Sequence, residues 1–383
     1  MSGPAPLPPN HRLGVFGGGQ LGRMFAQAAA RLGYRVTVFA PDEQPPAALV
    51  AAAHVRADYD DLDAVRRFAT TVDAITYEFE NVPATAVQAA ADHVPVRPSP
   101  TLLDITRNRV REKQFLRDKG INVTPFQRVT NADECAAVAA TYEGRAIVKT
   151  TELGYDGKGQ HALTAQDDVH AVWSALGDPN ELIVEQRIEL AGECSVLVAR
   201  DAAGKTVVYG PFYNTHTNHI LDITCWQAND PGPWTAAARA IGTQVADAFQ
   251  LEGLLCVECF IDTSGQVMVN EIAPRPHNSG HLTIEAFSIS QFEQQARLTA
   301  GGPAVEPLPR APAAAMANLL GDGWVDGEPD WSTVWQDPAV TLHLYGKPEA
   351  RPGRKMGHLT ALAATPEEAR TRVEDARTRA YRL

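Results

Sequence analysis

The chain is poor in cysteine, has no surplus of positive charge and contains no long apolar run, and each shortage excludes a class of protein. Five cysteines among 383 residues are too few and too scattered for a disulfide framework, which points to a reducing, cytoplasmic setting. Acidic residues outnumber basic ones, 46 to 34, for a formal net charge of −12. A protein that coats nucleic acid draws its affinity from a basic surface, so nucleic acid is not an expected partner. A pocket can still be locally basic inside an acidic protein, which leaves small phosphorylated ligands open. The longest apolar stretch, Ala47 to Val55, is alanine-rich and ended by Arg56, short of the ~18–20 residues that span a bilayer. No membrane partner is expected, and the opening MSGPAPLPPNHR lacks the basic-then-apolar order of a secretory signal.

What is present is the composition of a soluble globular enzyme, 44% hydrophobic and 21% charged. The length exceeds the ~100–200 residues of one ordinary core, so two or three packed domains are expected. From Leu13 to about Pro100 strand and helix alternate: LGVF, a glycine turn, QLGRMFAQAAARLG, then YRVTVFA and later VDAITYEF. That pattern predicts a small parallel sheet with helices on both faces. A helix follows from Asn108 to a stop at Gly120, strand-rich sequence runs to about Pro274, and the tail from about Gly301 holds a smaller strand-containing unit.

Two glycine-rich turns invite a ligand. Gly17, Gly19 and Gly22 have the spacing of a dinucleotide fingerprint, with Asp42 near the end of the next strand. Such a turn equally holds any phosphate or carboxylate, or simply reverses the chain. Lys149 ends the strand RAIVKT, and the loop TELGYDGKG leads into the extended QHALT. A strand lysine beside flexible backbone amides suits nucleotide phosphates, although no helix follows and the loop is not a Walker motif. A plain hairpin loop is the alternative. Glu185 and Glu193 are further acceptors for a ligand, or surface charge.

A paired carboxylate follows from hairpin register. LLCVECFID and QVMVNEIAP flank Thr263-Ser264-Gly265, and a two-residue turn at Ser264 and Gly265 sets Thr263 opposite Gln266. Counting outward, Glu258 faces Glu271. Their Cβ atoms would lie roughly 4.5–5.5 Å apart, an unfavourable placement for like charges, and Glu258 interrupts an apolar run. A divalent cation removes the conflict, since Mg2+ is commonly held by one or two carboxylates plus substrate phosphates. A raised pKa on one glutamate is the alternative. Cys256 and Cys259 form a CxxC without a second pair, and strand alternation puts them on opposite faces, as buried structural cysteines. Beyond the hairpin, Arg275, His277, Asn278 and His281 occupy a turn-rich stretch able to offer an arginine to an anion and a histidine as donor or base. Lys347, Arg351, Arg354 and Lys355 form a basic cluster, either a solvated loop or a monophosphate site.

Six motifs occur in order over nearly the whole chain: GGGQLGRM, FENVP, AIVK, GYDGKGQ, NEIAPRPHNSGH and RPGRKMGH. Together they resemble the 5-(carboxyamino)imidazole ribonucleotide synthetases, the ATP-grasp carboxylases of bacterial and fungal purine biosynthesis. The resemblance implies an ATP-grasp fold of mixed α/β and α+β class: an N-terminal parallel-sheet α/β domain (residues 1–100), a central ATP-grasp domain (101–300) and a small C-terminal domain (301–383), assembled as a homodimer. It implies ATP and Mg2+, with bicarbonate as co-substrate and 5-aminoimidazole ribonucleotide as acceptor. ATP would meet Arg109, Lys149, the loop Gly154, Tyr155, Asp156, Gly157, Lys158, Gly159 and Gln160, then Glu185, Gln186, Arg187 and Ile188 near adenine, Glu193 at the ribose, and His216, Asn270 and Glu271. Glu258 and Glu271 would hold Mg2+. Arg275, His277, Asp156 and Lys158 would act at the reacting groups, and Gln20, Leu21, Glu78, Glu80, Tyr155, Lys347, Arg354 and Lys355 would contact the ribonucleotide.

Two departures stand out. Members of the family often carry arginine and a second glycine before GYDG, where this chain has Thr151, Glu152 and Leu153, and Lys158 stands where arginine is frequent. Lysine keeps the charge but loses bidentate geometry. The rival readings are another ATP-grasp ribonucleotide ligase or formyltransferase, a nicotinamide-dependent dehydrogenase built on Gly17 to Gly22, and a non-catalytic nucleotide-binding regulator.

Overall fold

The computed structural model describes residues 5–152, 158–164 and 166–382. Among these residues the chain forms three sheets. The first is parallel, with β1 (Arg12–Phe16), β2 (Arg35–Ala40), β3 (Ala53–Arg56) and β4 (Ala74–Tyr77) in the order β3-β2-β1-β4. Its inner strands, β1 and β2, are buried at every position after their first residue because helices cover both faces, as expected. Helix Gln20–Arg31 packs Met24, Phe25 and Ala29 with Leu13 and Val15 on one side, while helices Leu62–Ala69 and Ala84–Ala91 cover Phe16, Phe39 and Tyr77 on the other.

The second sheet is antiparallel and small: β5 (Phe126–Val129), β6 (Ala146–Thr150), β7 (Gln160–Leu163) and β8 (Leu182–Gln186), in the order β5-β8-β6-β7. Helices Ala132–Thr141 and Val169–Ala175 pack on it around Trp173 and Val148.

The third sheet contains β9 (Leu190–Arg200), β10 (Thr206–Thr217), β11 (Ile220–Gln227), β12 (Gly253–Asp262), β13 (Val267–Ala273), β14 (Ala313–Leu320), β15 (Val340–Leu344) and β16 (Lys355–Ala363), in the order β13-β12-β9-β10-β11-β14-β16-β15. Strand alternation gives it two cores. Val196, Val198, Leu255 and Cys259 lie under helix Thr235–Ala248, and Leu197, Ala199, Leu254 and Cys256 face the other way. Cys256 and Cys259 therefore do point to opposite faces, and the five cysteines are unpaired.

The C-terminal unit carries strands, as expected, and they join the central sheet: β14 pairs with β11, and the sheet continues through β16 to β15. The stretch expected to be mainly strands also contains helices Ala132–Thr141, Val169–Ala175 and Thr235–Ala248. The first and last are alanine-rich; alanine favours helix while leaving few large apolar residues to mark a periodic face. No helix among the described residues is long and apolar enough to cross a membrane.

Candidate active site

The β12–β13 hairpin carries the carboxylate pair, by a different route from the one expected. The turn has three residues, Thr263 to Gly265: Asp262 N–H donates to Gln266 O at 3.1 Å, and Gly265, at φ +85°, donates to Asp262 O at 2.9 Å. This puts Ile261 opposite Val267, one residue out of the expected register. A bulge then absorbs Asn270, and Glu258 faces Glu271 after all. The bulged residue is re-aimed, and its carbonyl accepts from Lys113 Nζ at 2.8 Å.

The two glutamates have unlike surroundings. Glu258 lies 3.1 Å from His277 Nε2. Burial opposes its charge, but the imidazolium outweighs burial and holds the carboxyl down to about 2. Burial likewise opposes charge on His277, yet Glu258 pushes it up to about 10. Glu271 is raised above the ordinary carboxylate value by desolvation and then by Glu258 opposite, and Arg109 lies 3.6 Å away. A carboxylate whose ionisation is resisted by its twin is a position that a divalent cation would relieve, so the donor set fits Mg2+ completed by substrate phosphates.

Beside this pair Glu185 lies between two lysines, Lys149 Nζ at 2.7 Å and Lys113 Nζ at 3.3 Å. Burial works against its charge, but Lys113 and then Lys149 hold it down to about 2. The expectation that Glu185 meets adenine finds its carboxylate committed to these lysines. Lys113 and its neighbour Glu112 are both about 2% exposed, and burial raises Glu112 to about 8. Neither was singled out from sequence; the available signal was that they share a helix face with Leu116, at i,i+3 and i,i+4. Glu193 and His216 are brought together at 2.7 Å, and the histidine is raised by that carboxylate against its burial.

Gln186, Arg187 and Ile188 form the hinge from β8 into β9 and line a cavity of about 270 Å³ with Arg145, Gln266 and Met268. The N–H groups of Gln186 and Arg187 already donate to Pro125 O at 2.9 Å and Arg145 O at 2.8 Å. Gly154, Tyr155, Asp156 and Gly157 lie outside the described residues. At the base of that loop Thr150 N–H donates to Gly159 O at 2.8 Å, between Lys158 and Gln160. Glu152, one of the departures, accepts from Arg111 Nη2 at 3.2 Å and Asn108 Nδ2 at 3.4 Å, and Arg109 N–H donates to Thr151 O at 2.9 Å. Thr151 and Glu152 are thus tied to the N-terminus of helix Arg109–Asp118, and Leu153 lies outside the described residues.

The N-terminal glycine turn already holds an anion, and that anion belongs to the chain. Glu78 accepts from Gly19 N–H at 2.7 Å and Gly22 N–H at 3.0 Å, and a Cβ on Gly17, at φ +102°, would lie 2.4 Å from Glu78 Cγ. A dinucleotide pyrophosphate would need those same amides, so the nicotinamide reading fails. Gln20 and Leu21 begin the helix that follows, and the Leu21 side chain is in the core, 7% exposed. Glu80 pairs with Arg275; burial would raise the glutamate, but the guanidinium holds it below the ordinary value. Lys347 donates to Lys355 O at 2.7 Å and Arg354 to Glu349 O at 2.7 Å. Burial and then the Arg354 charge push Lys347 down to about 8, although Glu78 acts to keep it charged.

Family models match the chain in three blocks: a ribonucleotide synthetase preATP-grasp domain over residues 11–107, an ATP-grasp domain over 114–292 and a phosphoribosylaminoimidazole carboxylase C-terminal domain over 314–372. Fold and site thus define an ATP-grasp ligase. The N5-carboxyaminoimidazole ribonucleotide synthase of Brucella melitensis is 41% identical over 358 residues, which cover 93% of this chain and 97% of that one. A solved N5-carboxyaminoimidazole ribonucleotide synthetase in complex with ADP has a TM-score of 0.90 at 35% identity, covering 97% of both chains. The Aspergillus clavatus synthase, solved with ADP and 5-aminoimidazole ribonucleotide, has a TM-score of 0.86 at 29% identity, covering 98% of this chain and 99% of that one. The chain belongs to the N5-carboxyaminoimidazole ribonucleotide synthase family.

Proposed function

We propose that this enzyme carboxylates 5-aminoimidazole ribonucleotide with bicarbonate and ATP, giving 5-carboxyaminoimidazole ribonucleotide, ADP and phosphate in purine biosynthesis. The observation that carries the reading is the Glu258–Glu271 pair, set beside Arg109 and the Lys149–Glu185–Lys113 triad. Arg109, Lys149 and the segment Gly154 to Gln160 take the ATP phosphates, the hinge Gln186 to Ile188 takes adenine, Glu193 and His216 lie at the ribose, and Asn270 shapes the floor. Glu185 keeps both lysines in place. Glu258 and Glu271 hold Mg2+, which when bound neutralises charge on the phosphates.

The chemistry needs fixed positive charge because bicarbonate and the γ-phosphate are both anions. A bicarbonate oxygen attacks the γ-phosphorus and ADP leaves, forming carboxyphosphate. The exocyclic amine then takes the carboxyl carbon, phosphate leaves and the amine loses a proton. His277, donating through Nε2 to Glu258, and Arg275, fixed by Glu80, supply a donor and a charge that need not reorganise during the reaction. Asp156 and Lys158 approach the aminoimidazole with Tyr155, while Gln20, Leu21, Glu78 and Glu80 form the N-terminal wall. Lys347, Arg354 and Lys355 receive the ribonucleotide phosphate. We also propose domain limits near residues 100 and 300, and a cytoplasmic homodimer, on the resemblance to the family and the unpaired cysteines.

The test is phosphate release from ATP with Mg2+ and bicarbonate, with and without 5-aminoimidazole ribonucleotide. Strong stimulation that requires bicarbonate is expected. Stimulation by a different ribonucleotide amine instead would transfer the enzyme to another ATP-grasp ligase reaction.

A further inference from the structure

Gln291 is the first residue of helix Gln291–Thr299, fully buried, and every hydrogen-bonding atom of its amide is used. Oε1 accepts from His277 N–H at 2.9 Å, and Nε2 donates to His277 O at 2.8 Å and to His281 Nδ1 at 3.1 Å. Reversing the amide would set N–H against N–H and oxygen against oxygen, so its orientation is unique. Burial holds His281 well below its ordinary value and therefore neutral, which suits it as the acceptor. The fit leaves no slack: a Cβ on Gly280 would lie 2.5 Å from Gln291 Oε1. Gln291 N–H in turn donates to Thr283 Oγ1 at 3.0 Å, and that hydroxyl donates to Gly280 O at 2.6 Å. The turn that presents His277 is thereby closed on itself.

We propose that Gln291 is a positioning residue for His277: its side-chain amide grips the histidine main chain at both N–H and C=O and so sets the ring against Glu258. The ring itself is held at its two nitrogens, Nδ1 2.8 Å from Ser279 Oγ and Nε2 3.1 Å from Glu258, and those contacts require the main chain to stay where Gln291 holds it. The same amide ties this turn to the C-terminal unit, since the His281 ring lies 4.8 Å from His358, whose Nδ1 is 2.9 Å from Tyr345 Oη. The inference rests on the reading of His277 as acting at the reacting groups.

Gln291→Met keeps the length of the side chain and removes all three hydrogen bonds. We expect kcat to fall about 10- to 100-fold, the size of effect seen when a reacting group is misplaced by about 1 Å, while KM for ATP stays within about twofold. The deciding measurement is the double variant with His277→Ala. If Gln291 acts through His277, the pair loses no more kcat than His277→Ala alone; losses that multiply would show a merely structural role and overturn the proposal. Wild-type kcat in Gln291→Met would overturn it as well. Wild-type kcat in His277→Ala would instead remove the reading of His277, and the inference with it. Should the methionine variant fail to fold by circular dichroism, Gln291→Glu enters the same cycle under the same criteria, since it keeps the acceptor for His277 N–H and loses both donors.

Discussion

Lys149 and Lys347 are both part-buried cations of the candidate site, and the chain secures them differently. Lys149 and its neighbour Lys113 are fixed by a carboxylate, Glu185. Lys347 and Arg354 donate to main-chain carbonyls, of Lys355 and Glu349. A carboxylate partner fixes a cation and cancels much of its charge, whereas a carbonyl fixes it and leaves the charge for a ligand. The triad therefore suits a nucleotide that brings its own metal, and the C-terminal strand suits a bare phosphate. The difference also has a cost: with no carboxylate hydrogen-bonded to it, Lys347 is driven down to about 8 by burial and then by Arg354, despite the field of Glu78, so its charge is conditional on pH.

The largest test of this contrast is at the Glu258–Glu271 carboxylate pair. Glu271→Gln is expected to reduce Mg2+-dependent turnover at least about a hundredfold without lowering the melting temperature of the unliganded protein, because repulsion with Glu258 is relieved; normal turnover would refute the metal assignment. Next, Lys113→Met leaves Glu185 with one lysine and should destabilise by about 3 kcal/mol in urea titration, whereas Lys347→Met, which strands no carboxylate, should stay within about 1 kcal/mol. Equal losses would dissolve the comparison. Lys355→Ala should weaken 5-aminoimidazole ribonucleotide about tenfold by calorimetry and ATP by less than about twofold; parallel losses would mean the phosphate site lies elsewhere. The smallest effect is that of pH on Lys347. Its folded pKa, about 8, lies below the ordinary ~10.4, so ribonucleotide affinity should fall above pH 8 as the charge is lost. Over that same interval the folded protein binds fewer protons than the unfolded one, and stability should rise with pH. Lys347→Arg should abolish the affinity change.

The alternating elements of the N-terminal sheet were legible because a buried parallel strand is a continuous apolar run and a glycine turn marks its end. The carboxylate pair was legible for a reason that differs from the structure: the turn is one residue longer than a two-residue hairpin, and the bulge at Asn270 restores the register. Turn and bulge compensate, and no local feature of NEIAP announces the second. Lys113 and Glu112 were easily overlooked because two adjacent charges on a helix ordinarily face water, which outweighs the face they share with Leu116; the tertiary contact with Glu185, Thr124 and Ile272 accounts for their burial. The first glycine turn was recognised, but its anion could not be, since Glu78 lies 56 residues beyond Gly22.

The seam between β11 and β14 bears on how the chain is made. Until β14 has been synthesised, β11 is an open strand edge carrying Ile223 and Trp226, the kind of edge that recruits other chains. A protein cut after the central region would keep that edge permanently. Strands β14, β16 and β15 move the edge of the sheet outward from β11, so the C-terminal unit is continuous with the central sheet and shares its hydrogen-bond ladder.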